Sequence, residues 1–159
     1  MQPVQRTTWG IASPVEYDVP KCAEGIMGCA QTADKNWIHT IKGTFTGGGK
    51  LSAAHFHCHA PTCLHMAMYM CDKNVTDCNN ETGTLLCDEH PVYGGTGMID
   101  NKDMDEPGFI LQPPCLWGSP EHGLDPAPNY DGYIRIVKKS NATYGHHGEM
   151  AHGQFYYAH

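Results

Sequence analysis

The sequence has little charge. Asp, Glu, Lys and Arg make up 17% of its 159 residues, against about 25% in an average soluble domain. A disordered tail or a coiled coil needs more polar or charged surface than that, so both are excluded. Cations are scarce: ten Lys plus Arg stand against seventeen acids, for a net charge of −7. Phosphate neutralisation needs clustered Lys and Arg, and the one adjacent basic pair is Lys138-Lys139. Nucleic acid is therefore not expected as a partner. No apolar run approaches the ~20 residues of a spanning helix, so no membrane span is expected. The chain also lacks a G-x-S-x-G, a P-loop and a dinucleotide fingerprint. With 18 Gly and 11 Pro breaking the chain, long helices are excluded as well. At roughly 150 residues per domain, the length predicts a single domain over residues 1–159.

Eight cysteines are present, none in the C-x2-C spacing that signals zinc-binding pairs. Their even number and wide spacing favour disulfides, and hence an oxidising, extracellular compartment. Three N-glycosylation sequons agree with a secreted glycoprotein: Asn74-Val75-Thr76, Asn80-Glu81-Thr82 and Asn141-Ala142-Thr143. Residues Met1 to Val15 lack the apolar core of a signal peptide, so the sequence reads as a mature domain behind an added Met1.

Along the chain, residues 1–35 carry three prolines and two cysteines and read as an irregular N-terminal arm held by disulfides. Trp37 to Ile41 alternates and is β-branched, which predicts a strand. Leu51 to Cys71 is the longest β-prone region. A helix there would place Pro61 in its interior at ~3 kcal/mol, so a bend between two strands is expected near Ala60-Pro61-Thr62. Residues 72–84 read as an exposed turn region and 91–128 as a Gly/Pro-rich stretch. Strands are predicted at 133–138 and 153–157. Short strands with Gly/Pro punctuation mean an all-β fold, an antiparallel β-sandwich or jelly roll stapled by disulfides.

Eleven histidines are many for this length, and three fall in His55-Phe56-His57-Cys58-His59. On a strand these three imidazoles share one face while Phe56 and Cys58 take the other. Residues two apart lie ~6.5–7 Å from each other, so two rings can converge on one ion. Imidazole suits zinc, copper, iron or nickel. Near the C-terminus, His146-His147-Gly148-Glu149-Met150 reads as a loop, with Glu149 as a solvated acid. A soft thioether beside histidines favours copper, above all Cu(I). Met66, Met68 and Met70 are spaced by two on an apolar strand and read instead as core. Cys87-Asp88-Glu89-His90 resembles part of a blue-copper motif, but full pairing of the cysteines would exclude that.

The order His-x-His, then intervening strands, then Glu-Met before an aromatic-rich strand resembles the catalytic domain of the copper type II, ascorbate-dependent monooxygenases. These are the peptidylglycine α-hydroxylating and dopamine β-monooxygenase family. The resemblance spans roughly residues 37–70 and 130–158. It implies a jelly-roll sandwich holding one copper on His57, His59 and Met150, with His57/His59 favoured over His55/His57 because Leu64 to Tyr69 then falls on the family's apolar strand. It also implies a small-molecule or peptide ligand. The sequence departs from the family in three places. Pro91 to Pro128 has no counterpart, and Ala151 follows Met150 where the vertebrate hydroxylases have a Cys. In addition, 159 residues are not expected to hold the second copper domain that supplies an electron.

The expected function is thus a secreted mononuclear copper-binding protein without efficient two-copper hydroxylase activity. One alternative is a three-histidine zinc hydratase or hydrolase using His57, His59 and His146 or His147 around a catalytic water. A minimal copper oxygenase is another. On any of these readings His55 and His147 are further candidate ligands, His55 being the reserve should the register shift by two. The remaining histidines, including His90 and His152, share no strand spacing apart from the adjacent His146-His147, whose side chains would face opposite ways, so no second preformed copper is expected.

Overall fold

Backbone that alternates sides every residue is best satisfied by neighbouring strands, and strands dominate the computed structural model. It describes residues 5–10, 16–46, 49–129 and 133–158. The strands are β1 (Gln5–Gly10), β2 (Glu16–Val19), β3 (Cys29–Gln31), β4 (Trp37–Thr46), β5 (Lys50–His57), β6 (Cys63–Cys71), β7 (Thr84–Glu89), β8 (Val92–Tyr93), β9 (Ile110–Leu111), β10 (Cys115–Leu116), β11 (Tyr133–Asn141), β12 (His146–Met150) and β13 (His152–Ala158). Among the described residues the one helical element is a 3-10 turn, Pro120–His122.

A four-stranded sheet runs β1-β13-β5-β10 and a five-stranded sheet β3-β4-β11-β6-β7. Every pairing is antiparallel. The core lies between the two sheets. Leu51, Ala54, Phe56 and Phe155 from the first meet Met66, Met68, Ile134 and Ile136 from the second. Phe56 and Phe155 pack edge to face with centroids 6.1 Å apart, a geometry the ring quadrupoles favour. The methionines at 66 and 68 are fully buried and Met70 packs against them, as their spacing predicts. The fold is the all-β, antiparallel sandwich expected, with the bend at Ala60–Pro61 between β5 and β6.

Two local expectations are corrected. The described part of residues 1–35 is not irregular throughout: β1 pairs with β13 from Gln5 opposite Tyr157 to Gly10 opposite His152, and β2 and β3 pair with β12 and β4. β1 and β3 take up the open backbone groups of β13 and β4 at the sheet edges, while β2 and β12 form a separate two-stranded sheet. Likewise 146–150 is a strand rather than a loop. Its register shifts between His146 and Glu149, where Gly148 adopts φ +73°, a left-handed conformation that glycine takes at little cost.

All eight cysteines are paired: 22–29, 58–63, 71–78 and 87–115. Cys87–Cys115 joins β7 of one sheet to β10 of the other, stapling the sandwich. Four disulfides suit an oxidising compartment. No helix among the described residues is long and apolar enough to cross a membrane. Denatured, unreduced protein should show no thiol reactive with a chromogenic disulfide; two or more would contradict this pairing.

Candidate metal centre

Strand β5 sorts its side chains as the alternation requires. Ala54, Phe56 and Cys58 face the core, while His55 and His57 lie half-buried on the outer face. The β13 register sets His152 opposite His57 and Gln154 opposite His55. Opposed residues have Cβ atoms ~4.5–5.5 Å apart, so His152 stands beside His57. On its other edge, β5 is paired by β10 only at Ala53 and Ala54, and side chains complete the ladder beyond. The Phe56 N–H donates to Glu89 Oε2 at 3.0 Å. Cys58 N–H donates to Gln112 Oε1 at 2.9 Å, and Gln112 Nε2 donates back to the Cys58 carbonyl at 2.8 Å. Gln112→Ala strands both Cys58 groups and should cost about 1–3 kcal/mol in denaturant titration. A loss under 0.5 kcal/mol would show that water replaces the amide.

The chain leaving β5 carries His59 around a loop closed by Cys58–Cys63. Its ring lies 5.0 Å from that of His57, centroid to centroid, at 85°. His59 Nδ1–H donates to the Gly148 carbonyl at 2.6 Å. This fixes the tautomer and leaves Nε2 with a free lone pair, the arrangement usual for metal-bound histidine. The His57 side chain makes no hydrogen bond among the described residues. Burial, then the neighbouring His59, His152 and His55, holds its pKa below the ordinary histidine value. His55 is lowered likewise by burial and His152.

Glu149 joins the two halves of the site. It is 0% exposed, not the solvated acid expected. Its Oε1 accepts from the N–H of His59 at 2.6 Å, the N–H of Met150 at 2.8 Å and Lys138 Nζ at 2.9 Å. Thr62 Oγ1 donates to Oε2, and Lys138 Nζ donates to the Met150 carbonyl at 2.7 Å. Burial opposes the Glu149 charge, but Lys138, Thr62 and the His59 N–H together hold its carboxyl below the usual range. Burial draws Lys138 down to about 8, with Glu149 counteracting. The backbones of His59 and Met150 are thus hung on one carboxylate oxygen. Along 149–153, Glu149, Ala151 and Gly153 are buried while Met150 and His152 are half-buried.

Of the residues expected at the site, His57 and His59 therefore stand side by side, and Met150 is tied to His59 through Glu149. His55 lies on the same face, its Nδ1 3.8 Å from Glu89 Oε1, beyond hydrogen-bond length. That Oε1 has no hydrogen-bond partner among the described residues, and burial pushes the Glu89 carboxyl up to about 7, only partly offset by the Phe56 N–H. The other candidates are engaged elsewhere. Because the Thr62 proton goes to Glu149, His146 Nδ1–H donates to Thr62 Oγ1, at 3.0 Å. The His147 side chain is 94% exposed and pairs with Asp18 at 3.0 Å. The imidazole that sequence reasoning missed is His152. Its signal was the pairing of the last strand with the His-x-His strand.

The two rings are spaced as two imidazoles on one ion would be, and imidazole suits zinc, copper, iron or nickel alike. With a metal–nitrogen bond of about 2.0–2.1 Å, two rings on one ion have centroids about 5 Å apart, close to the separation of His57 and His59. No family model, curated protein or solved structure matches the chain.

Proposed function

We propose that the protein is a secreted copper-binding domain holding one ion on His57, His59 and Met150, with the sandwich serving as the jelly roll of the monooxygenase family it resembles. The observation that carries this reading is the His57–His59 pair at 5.0 Å, with the His59 tautomer set by Gly148 and Met150 bound to the same carboxylate as His59. Two imidazoles and a thioether form a soft set that favours Cu(I) while still accepting Cu(II). Protein purified without added metal should contain copper, and the Cu(II)-loaded form should give a mononuclear paramagnetic resonance signal with nitrogen couplings. Zinc in place of copper would favour a second reading, a three-histidine site, which draws support from His152 opposite His57.

The bound ion would supply one-electron cycling between Cu(I) and Cu(II). Hydroxylation with O₂ and ascorbate takes two electrons per turnover, so this domain alone is expected to hydroxylate poorly. Oxygen uptake with glycine-extended peptides and phenethylamines should show at most slow, uncoupled peroxide production. Coupled product well above that of free copper would make it a minimal monooxygenase.

A further inference from the structure

A second group of ligating side chains lies on the outer face of the other sheet. The register of β6 and β7 pairs Met66 with Glu89 and Ala67 with Asp88, so one further step brings His65 level with His90. Met66, Met68, Cys87 and Glu89 take the buried face, which sends His65, Asp88 and His90 to the opposite one. There His65 Nδ1 lies 3.0 Å from Asp88 Oδ1, and His90 Nε2 lies 3.0 Å from Asp88 Oδ2. The two rings stack at 5.0 Å with an 18° interplanar angle. One potential ligand atom from each residue lies within 4.8 Å of the other two.

We propose that His65, Asp88 and His90 form a second metal site, for a borderline divalent cation of which zinc is the type. Two imidazoles and a carboxylate are a donor set that zinc accepts, and protein ligands from three side chains leave a position for water. The carboxylate adds the negative charge that a divalent ion favours, and the absence of sulfur makes the site a poor competitor for Cu(I). His65 is the anchored ligand, its side chain only 17% exposed, whereas His90 at 64% can swing onto an arriving ion. Lys139 opposes binding. It is the cross-strand partner of His65 on β11, so its charge weakens the site without blocking it. The site is independent of the copper reading, because it shares no residue or sheet face with His57 and His59.

The test separates the two sites. In protein carrying His57→Ala and His59→Ala, titration with Zn²⁺ alone is followed by calorimetry and by imidazole ¹⁵N resonances. One equivalent should bind, shifting the His65 and His90 signals together. Adding His90→Ala or Asp88→Asn, both at exposed positions, should abolish that equivalent while leaving the thermal unfolding midpoint without zinc unchanged. No binding in the double-alanine background would overturn the proposal. So would binding that survives both substitutions, since the ion would then sit elsewhere.

Discussion

Lys138→Met is expected to destabilise the protein by about 3–5 kcal/mol, the cost of leaving a buried charge without its partner. Lys138 and Glu149 are both fully buried, with Nζ and Oε1 2.9 Å apart. Removing the ammonium leaves Glu149 to protonate or to draw in water, and it also strands the Met150 carbonyl. Unfolding in urea measures the loss. Adding Glu149→Leu should give a double variant less destabilised than the sum of the singles, by about 0.5–3 kcal/mol, because the two changes remove one shared interaction. Strict additivity, or a cost below 1 kcal/mol for Lys138→Met, would show that the pair does not hold the interior together. Copper binding should weaken in the same variant, because Met150 loses one of the contacts that place it.

The second large effect is on the metal. His57→Ala and His59→Ala each remove a direct ligand, so both oxidation states of copper should be lost. Even changes in residues that only support a ligand cost roughly 10–100-fold in affinity, and loss of a ligand should cost at least that. Met150→Leu is close in volume and should cost under ~1.5 kcal/mol in stability. It should leave Cu(II) binding largely intact and weaken Cu(I), for which the thioether is the better ligand. Competition titrations with chromophoric Cu(I) and Cu(II) chelators give both constants. Unchanged Cu(I) affinity in Met150→Leu would make Met150 a packing residue. A loss in His152→Ala would then identify the three-histidine site, whereas a loss in His55→Ala without one in His59→Ala would shift the ligand pair by two residues.

The period-two pattern carried most of the fold. Phe56 and Cys58 against His55 and His57, or Met66 and Met68 against His65, told inside from outside correctly because each strand has one buried face. What alternation along one strand cannot reveal is which strand lies next to it. His152 beside His57, and His65 beside Asp88 and His90, arise from the pairings β13 with β5 and β6 with β7. A reading that grouped histidines only by spacing along the chain therefore missed both. His65, Asp88 and His90 converge, a group outside the expectation, which concerned only a second copper among the leftover histidines.

Lys138 is a different case. It has the parity of the buried residues Ile134 and Ile136, so its place on the inner face was present in the sequence. A buried ammonium needs an acid, and that requirement would have drawn Glu149 inward as well. β1 and β2 were hidden because they are short and pair with strands more than a hundred positions away, and β3, though beside β4 in the chain, is only three residues long.

The copper assignment is tested most directly by X-ray absorption at the copper edge of the Cu(I)-loaded protein and of its Met150→Leu variant. All eight cysteines are in disulfides, so no thiolate is available and a sulfur neighbour of copper points to a thioether. The account predicts two imidazoles and one sulfur around copper in the wild type, with the sulfur absent in Met150→Leu. A wild-type shell of nitrogen alone, or a sulfur that persists in the variant, would contradict it.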